Sequence, residues 1–132
     1  IVDYLQLFAE KPGENHFVVA ESFKNIAKAL NIPVIAVSRL PSFADERVDY
    51  RPTLSDLRRC NLIVERYADV VMFVYRDCMY NPCECPREKC SCGKRNAMEV
   101  IIEKNRNGPV GCVNLFFDWE IVRLENICDK CG

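Results

Sequence analysis

The sequence predicts an α/β domain built on parallel strands with an antiparallel edge. Three observations point there. VIAVS at 34–38 and VVMFVY at 70–75 are short, continuous, β-branched runs, the pattern of strands buried on both faces of a parallel sheet. An amphipathic helical pattern precedes the first of them. Late in the chain, MEVIIEK, VGCVNLFF and EIVRLE follow one another closely, the first two joined by an NGP turn, which predicts antiparallel neighbours at the sheet edge.

Taken in order, IVDYLQLF reads as an apolar strand with Asp3 at its end, and KPGEN as a loop. A helix is predicted over 16–30, where Val19, Phe23, Ile26 and Leu30 recur at i, i+4, i+7 and i+11 and form one apolar stripe. Asn15 is its candidate N-cap. Pro33 stops it by excluding the helical region for the residue before it. VIAVS is followed by a long polar stretch, LPSFADERVDYRPTLSDLRR. Connections of that length are functional or disordered. A short helix is expected near 62–67, then the strand VVMFVY, then a Cys-rich insertion over 77–96, then the final strands. The expected organisation is one domain over 1–127 with a tail at 128–132.

The chain has 132 residues, enough for one domain with a real core. Its formal net charge is −1, so nucleic-acid binding, if present, must come from a local basic patch. No apolar run is long enough to span a membrane, and the first residues carry no basic n-region of a signal peptide. The chain begins without Met and inside an apolar run, and is expected to be a fragment. Nine cysteines are many for this size. In the absence of a secretory signal, reduced thiols or a metal site are expected before a disulfide framework. Cys83, Cys85, Cys90 and Cys92 are spaced C-x-C-x4-C-x-C. They are candidate ligands of a tetrahedral zinc, with Cys78, or Cys128 and Cys131, as alternative partners. A reduced loop tip is the competing expectation. Cys60 and Cys112 read as packing or loop thiols, and His16 as a helix-start residue.

Lys104 and Arg106 stand one residue apart before Asn107, Gly108 and Pro109. At strand spacing, side chains at i and i+2 leave a sheet on the same face. Two cations aimed together before a turn suit an anionic target. A charge-blunted hairpin end is the alternative.

Read in order, DYLQL, NIPVIAVSRL, RPTLSDLR, ADVVMFVYRD and KNRNGP resemble the second half of the motor domain of DnaB-type replicative DNA helicases. The likeness runs nearly end to end and leaves out the Cys-rich insertion and the tail. It implies a RecA-like P-loop NTPase core, here its C-terminal half. It also implies ATP and magnesium as cofactors, single-stranded DNA as partner, a homo-hexameric ring, a primase or loader as further partner, and a cytoplasmic location. Asp3 matches the Walker B acid, which holds the magnesium of ATP through water. Arg106 matches the arginine finger given across a subunit boundary, with Lys104 as a second phosphate contact. Arg58, Arg59 and Asn61 match a loop that touches the DNA backbone, where arginines and amides suit phosphates without sequence preference. Gln6 fits the pattern but is assigned no chemistry.

The sequence departs from that pattern in three places. No G-x-x-x-x-G-K-[ST] phosphate loop is present in the 132 residues, so the chain alone is expected to be inactive. Arg39 stands where the family usually has Gln at the sensor of the terminal phosphate, and Arg is longer and always charged. RRCNLIVERYAD lacks the Gly usual in the corresponding loop. Two other readings stay open: a different RecA-like ATPase, and a non-catalytic, zinc-stabilised binding module.

Overall fold

The computed structural model describes residues 1–8, 16–40, 50–59, 64–82 and 93–127. The chain forms two compact units, Ile1–Val71 and Met72–Gly132. The CECPREKCSC segment, Asn15, Cys60, Asn61 and Cys128 to Gly132 lie outside the described residues.

In the first unit, the first segment pairs with VIAVS over a short stretch, in the parallel sense expected of the early strands. Val2 and Ala36 make a parallel bridge. Val2 N–H donates to Ile35 O at 2.8 Å, Val37 N–H to Val2 O at 2.8 Å and Leu5 N–H to Val37 O at 2.7 Å. The ladder stops there because Leu5–Phe8 winds into a 3-10 turn, corrected here from the strand expected over IVDYLQLF. Its Leu7 N–H turns back to Tyr4 O at 3.0 Å. The peptide bond between Asp3 and Tyr4 is cis. Burial of VIAVS on both faces is also corrected: Ile35 and Val37 are exposed, because a three-bond ladder along one edge covers little of either face.

Helix α1 spans His16–Leu30. Ala20 is buried and Phe23 half-buried, the Phe23 ring meeting Phe8 edge-on at 5.3 Å between centroids. Such an edge-to-face contact is the favoured aromatic geometry. The predicted stripe holds only in its first half. Ile26 and Leu30 are 44% and 62% exposed, since the helix packs against the 3-10 turn and α3 and runs past them. Its end is set by Asn31 rather than by Pro33 alone. Asn31 takes φ 50°, and Asn31 and Ile32 N–H donate to Lys28 O and Ala27 O. These are the two bonds of a left-handed helix cap, and Asn tolerates that conformation.

Helix α2 (Leu54–Arg59) was not anticipated within the long polar stretch. Its cause is local. The Asp56 carboxylate, 1% exposed, accepts from Thr53 N–H at 2.7 Å and from Thr53 Oγ1 at 3.2 Å. Asp56 N–H in turn donates to Thr53 O at 3.0 Å. T-x-x-D is a capping-box spacing with Asp in the role of Glu, and the buried Leu57 anchors the helix face. Helix α3 (Val64–Tyr67) occupies part of the helix expected over 62–67. Lys24 of α1 pairs with Asp69 just after it. Desolvation, reinforced by Glu21 and opposed by Arg66, raises the Tyr67 phenol above its ordinary range.

A four-stranded sheet runs in the order β1-β2-β3-β4. Its strands are β1 (Val70–Tyr75), β2 (Ala97–Asn105), β3 (Gly111–Asp118) and β4 (Arg123–Asn126). β2 and β3 pair antiparallel, with Ile101 opposite Cys112 and Val100 opposite Val113. β3 and β4 do the same, with Phe117 opposite Leu124. The antiparallel edge expected from the sequence is therefore present. β1, expected to be buried throughout, is buried on one face only: Phe73 and Tyr75 are 5% and 4% exposed while Met72 and Val74 face outward. Alternation along a strand makes that split unavoidable once only one face is covered. Alternation also gives β2 and β3 an apolar face (Met98, Val100, Ile102, Val113, Leu115, Phe117) and a mixed one carrying Glu99, Cys112 and Asn114. The Cys112 thiol donates to Glu99 Oε2 at 3.2 Å on the mixed face.

The base of the Cys-rich insertion is tied together by Arg76. Its Nη2 donates to Arg95 O at 2.9 Å across the insertion, and its guanidinium carbon lies 4.5 Å from the Phe117 ring centroid. Cys78 Sγ is 3.6 Å from both Arg76 Nη2 and Arg95 O. Asp77 accepts from Tyr75 OH at 3.1 Å and from Asn81 Nδ2 at 2.8 Å. Arg76 and Arg95, on either side of the four insertion thiols in the chain, are thereby joined.

Candidate nucleotide and DNA sites

Asp3 sits on a bend directly after the Val2 bridge and is exposed. A carboxylate at the end of a paired segment, open to solvent, offers the hard oxygen that magnesium prefers. Arg39 lies at the far end of the neighbouring segment, and its guanidinium carbon stands 4.1 Å from the Tyr4 ring centroid. Gln6 joins the two segments. Its Nε2 donates to Ser38 Oγ at 2.9 Å and to Arg39 O at 3.0 Å, and its Oε1 accepts from Arg39 N–H at 3.4 Å. Sequence reasoning gives Gln6 no role, and its fit to the DYLQL pattern is the only signal it carries.

Lys104 is half-buried near the end of β2. By alternation it belongs to the apolar face with Met98, Val100 and Ile102. Arg106 is exposed and lies one residue beyond the strand, in the turn. Strand alternation therefore governs Lys104 alone, and the placement of Arg106 depends on the turn. Asn105 shapes that turn. Its Nδ2 donates to Pro109 O at 3.2 Å and its Oδ1 accepts from Asn107 N–H at 3.3 Å. Gly108 makes room for this, since a Cβ on it would stand 2.7 Å from Asn105 Nδ2. Sequence reasoning misses Asn105 because its latch depends on which backbone groups the turn brings near it.

Arg58 and Arg59 are the last two residues of α2. The third predicted DNA contact, Asn61, is outside the described residues. Thr53 and Asp56 cap the opposite end of α2. The four insertion thiols Cys83, Cys85, Cys90 and Cys92 are likewise outside. Among the described residues no group of three His, Cys, Asp or Glu gathers as a metal site. Also among them, no helix is long and apolar enough to cross a membrane.

A parallel-paired segment, flanking helices and an antiparallel sheet are consistent with the α/β fold of the RecA-like ATPase core. Comparison with known proteins gives the family. The profile of the DnaB-like helicase C terminal domain matches residues 1–126, and the chain belongs to that family. It is 38% identical over 135 residues to the replicative DNA helicase DnaB of Pasteurella multocida, covering 98% of this chain and 27% of that protein. It is 38% identical over 133 residues to DnaB of Geobacillus stearothermophilus, covering 96% and 27%. Among solved structures, a DnaB-like replicative helicase studied with its primase interactions superposes with a TM-score of 0.77 at 36% identity, over 95% of this chain and 30% of that one. The chain thus spans about a quarter of the length of the curated relatives it matches.

Replacing Gly108 by Ala is expected to push the Asn105 amide off Pro109 O and open the turn. Loss of one hydrogen bond costs about 1 kcal/mol. The Asn107 amide should then exchange with solvent about fivefold faster, measured by NMR hydrogen exchange with the β2–β3 amides as internal reference.

Proposed function

We propose that this chain is part of the motor of an ATP-dependent replicative DNA helicase, which couples ATP hydrolysis to translocation along single-stranded DNA and to duplex unwinding. The observation that carries the reading is membership of the DnaB-like helicase C-terminal domain family over residues 1–126, together with the K-N-R-N-G-P hairpin end latched by Asn105.

Each residue has a distinct task under this reading. The Asp3 carboxylate would hold the magnesium of ATP through water. That ion, when bound, neutralises charge on the phosphate oxygens. Arg39 would contact the terminal phosphate. Arg106 would reach the nucleotide of a neighbouring subunit and place a planar cation against charge that builds during transfer, and Lys104 would add a point charge beside it. Fingers of this kind contribute about 10³- to 10⁵-fold in rate. A residue given in trans requires a neighbouring subunit, and the likeness to this family implies that the neighbours form a homo-hexamer. A turn fixed by Asn105 and Gly108 favours that role, because a preorganised donor loses little freedom when the charge develops. Arg58, Arg59 and Asn61 would touch DNA phosphates, and a primase or loader would bind elsewhere on the intact protein. The four insertion thiols would hold a structural zinc whose strand-side base is tied by Arg76.

In the full-length protein, Arg106→Ala should leave nucleotide binding near normal and cut hydrolysis by about two orders of magnitude or more. Mixing it with subunits that lack only a working phosphate loop should recover part of the activity, and a mixture as inactive as either parent would sink the trans assignment. Arg58→Ala with Arg59→Ala should weaken single-stranded DNA binding equally for all sequences and flatten its salt dependence by up to about one unit for each phosphate released. An unchanged slope removes these residues from the DNA interface. Reduced protein should carry about one zinc per chain by metal analysis, and Cys90→Ser should release it.

A further inference from the structure

We propose that Tyr4 and Gln6 are positioning residues for Arg39, together holding it as a preorganised cation for the terminal phosphate. The proposal rests on the phosphate-contacting reading of Arg39 and adds the two residues that aim it.

Two independent contacts converge on Arg39. The first is to its backbone. The Gln6 carboxamide takes both main-chain polar groups of Arg39, donating to its carbonyl at 3.0 Å and accepting from its N–H at 3.4 Å, with a further donation to Ser38 Oγ at 2.9 Å. A carboxamide presents donors and an acceptor at one planar end. A carboxylate of the same length would set negative charge against the Arg39 carbonyl. The second contact is to the side chain: the guanidinium lies over the Tyr4 ring at 4.1 Å, inside cation–π range. Tyr4 follows Asp3 directly, and the ladder from Val2 and Leu5 to Ile35 and Val37 keeps both segments in one register. Arg39 is therefore tied at main chain and side chain to the segment that carries the magnesium-holding acid.

The arrangement also gives a physical reason for an arginine at this position. An exposed arginine loses many rotamers when it meets a phosphate. Stacking it on a ring before nucleotide arrives moves that loss out of the catalytic cycle. The glutamine usual in the family is uncharged and has no cation to place over the Tyr4 face. Dependence on Tyr4 is thus a property of the Arg39 form of the site.

The test is a double-mutant cycle in the full-length enzyme, with ATPase kcat, KM and ADP affinity measured for each variant. Tyr4→Leu should lower kcat about two- to fivefold, the size of an exposed cation–π contact. ADP affinity should not change, because ADP lacks the terminal phosphate. Tyr4→Phe keeps the ring and should recover most of the loss. Gln6→Ala should cost about fivefold, one hydrogen-bond equivalent. In an Arg39→Gln background, Tyr4→Leu should have no further effect. In the full-length enzyme, the Arg39 Hδ protons should show an upfield ring-current shift that Tyr4→Leu abolishes and Tyr4→Phe retains.

Equal losses from Tyr4→Leu in both backgrounds, or a Tyr4→Phe variant as poor as Tyr4→Leu, would overturn the proposal while leaving Arg39 on the phosphate. If Arg39→Ala changes neither kcat nor the discrimination of ATP from ADP, the reading of Arg39 itself fails and the positioning role falls with it. Arg39→Ala distinguishes the two cases, while the ring-current shift reports the stacked pair whether or not the pair serves hydrolysis.

Discussion

Three backbone hydrogen bonds and one carboxamide hold the first segment of the chain against residues 35–39, and the placement of both Asp3 and Arg39 depends on that short junction. A parallel ladder of this length contributes little by itself, since each bond has only a modest net effect once exchange with water is counted. Its importance is geometric. It sets an acid, an aromatic face and a guanidinium on adjoining segments, and Leu5, which donates to Val37 O, is buried. A shift of that pairing by one residue would place a different side chain over Tyr4.

The second unit solves a different problem by similar means. A cation presented at the end of a hairpin must be aimed, yet a turn residue has no sheet alternation to aim it. Asn105 supplies the constraint by bonding across the turn to Pro109 O and Asn107 N–H, and Gly108 leaves the space that this requires. At the opposite end of β2, Arg76 closes the base of the Cys-rich insertion on Arg95 O. Both ends of the strand are thus held by side chains bonded to backbone groups. Such bonds reach main-chain groups and need no particular partner side chain, only the room that Gly108 leaves at the turn.

Much of the fold was legible in the sequence. The helix at 16–30, the final antiparallel strands and the end of the Cys-rich segment before Ala97 followed from periodicity and from the NGP turn, because those signals are local and the structure agrees with them. Helix α2 is signalled by Thr53 and Asp56, whose spacing is a capping pattern within four residues. The charge around that pattern masks it, because a dense polar stretch reads as a loop. The family too was legible, through DYLQL and KNRNGP in order, and comparison with known proteins bears it out.

Other features were decided only when distant segments met. Burial is the plainest case. VVMFVY and VIAVS look alike as apolar runs, yet Phe73 and Tyr75 are buried while Val74, Ile35 and Val37 are exposed, since a run of apolar residues does not say which of its faces is covered. Gln6, Tyr4 and Arg39 illustrate the same limit in chemistry. Their types and order were plain in the chain, but the carboxamide and the Arg39 backbone it binds are separated by 33 positions and meet only through the parallel ladder. Local sequence determines which helices and turns form because their hydrogen bonds close within a few residues. Which side chains share a site is determined by pairing between remote segments, and that was the tertiary structure's to decide.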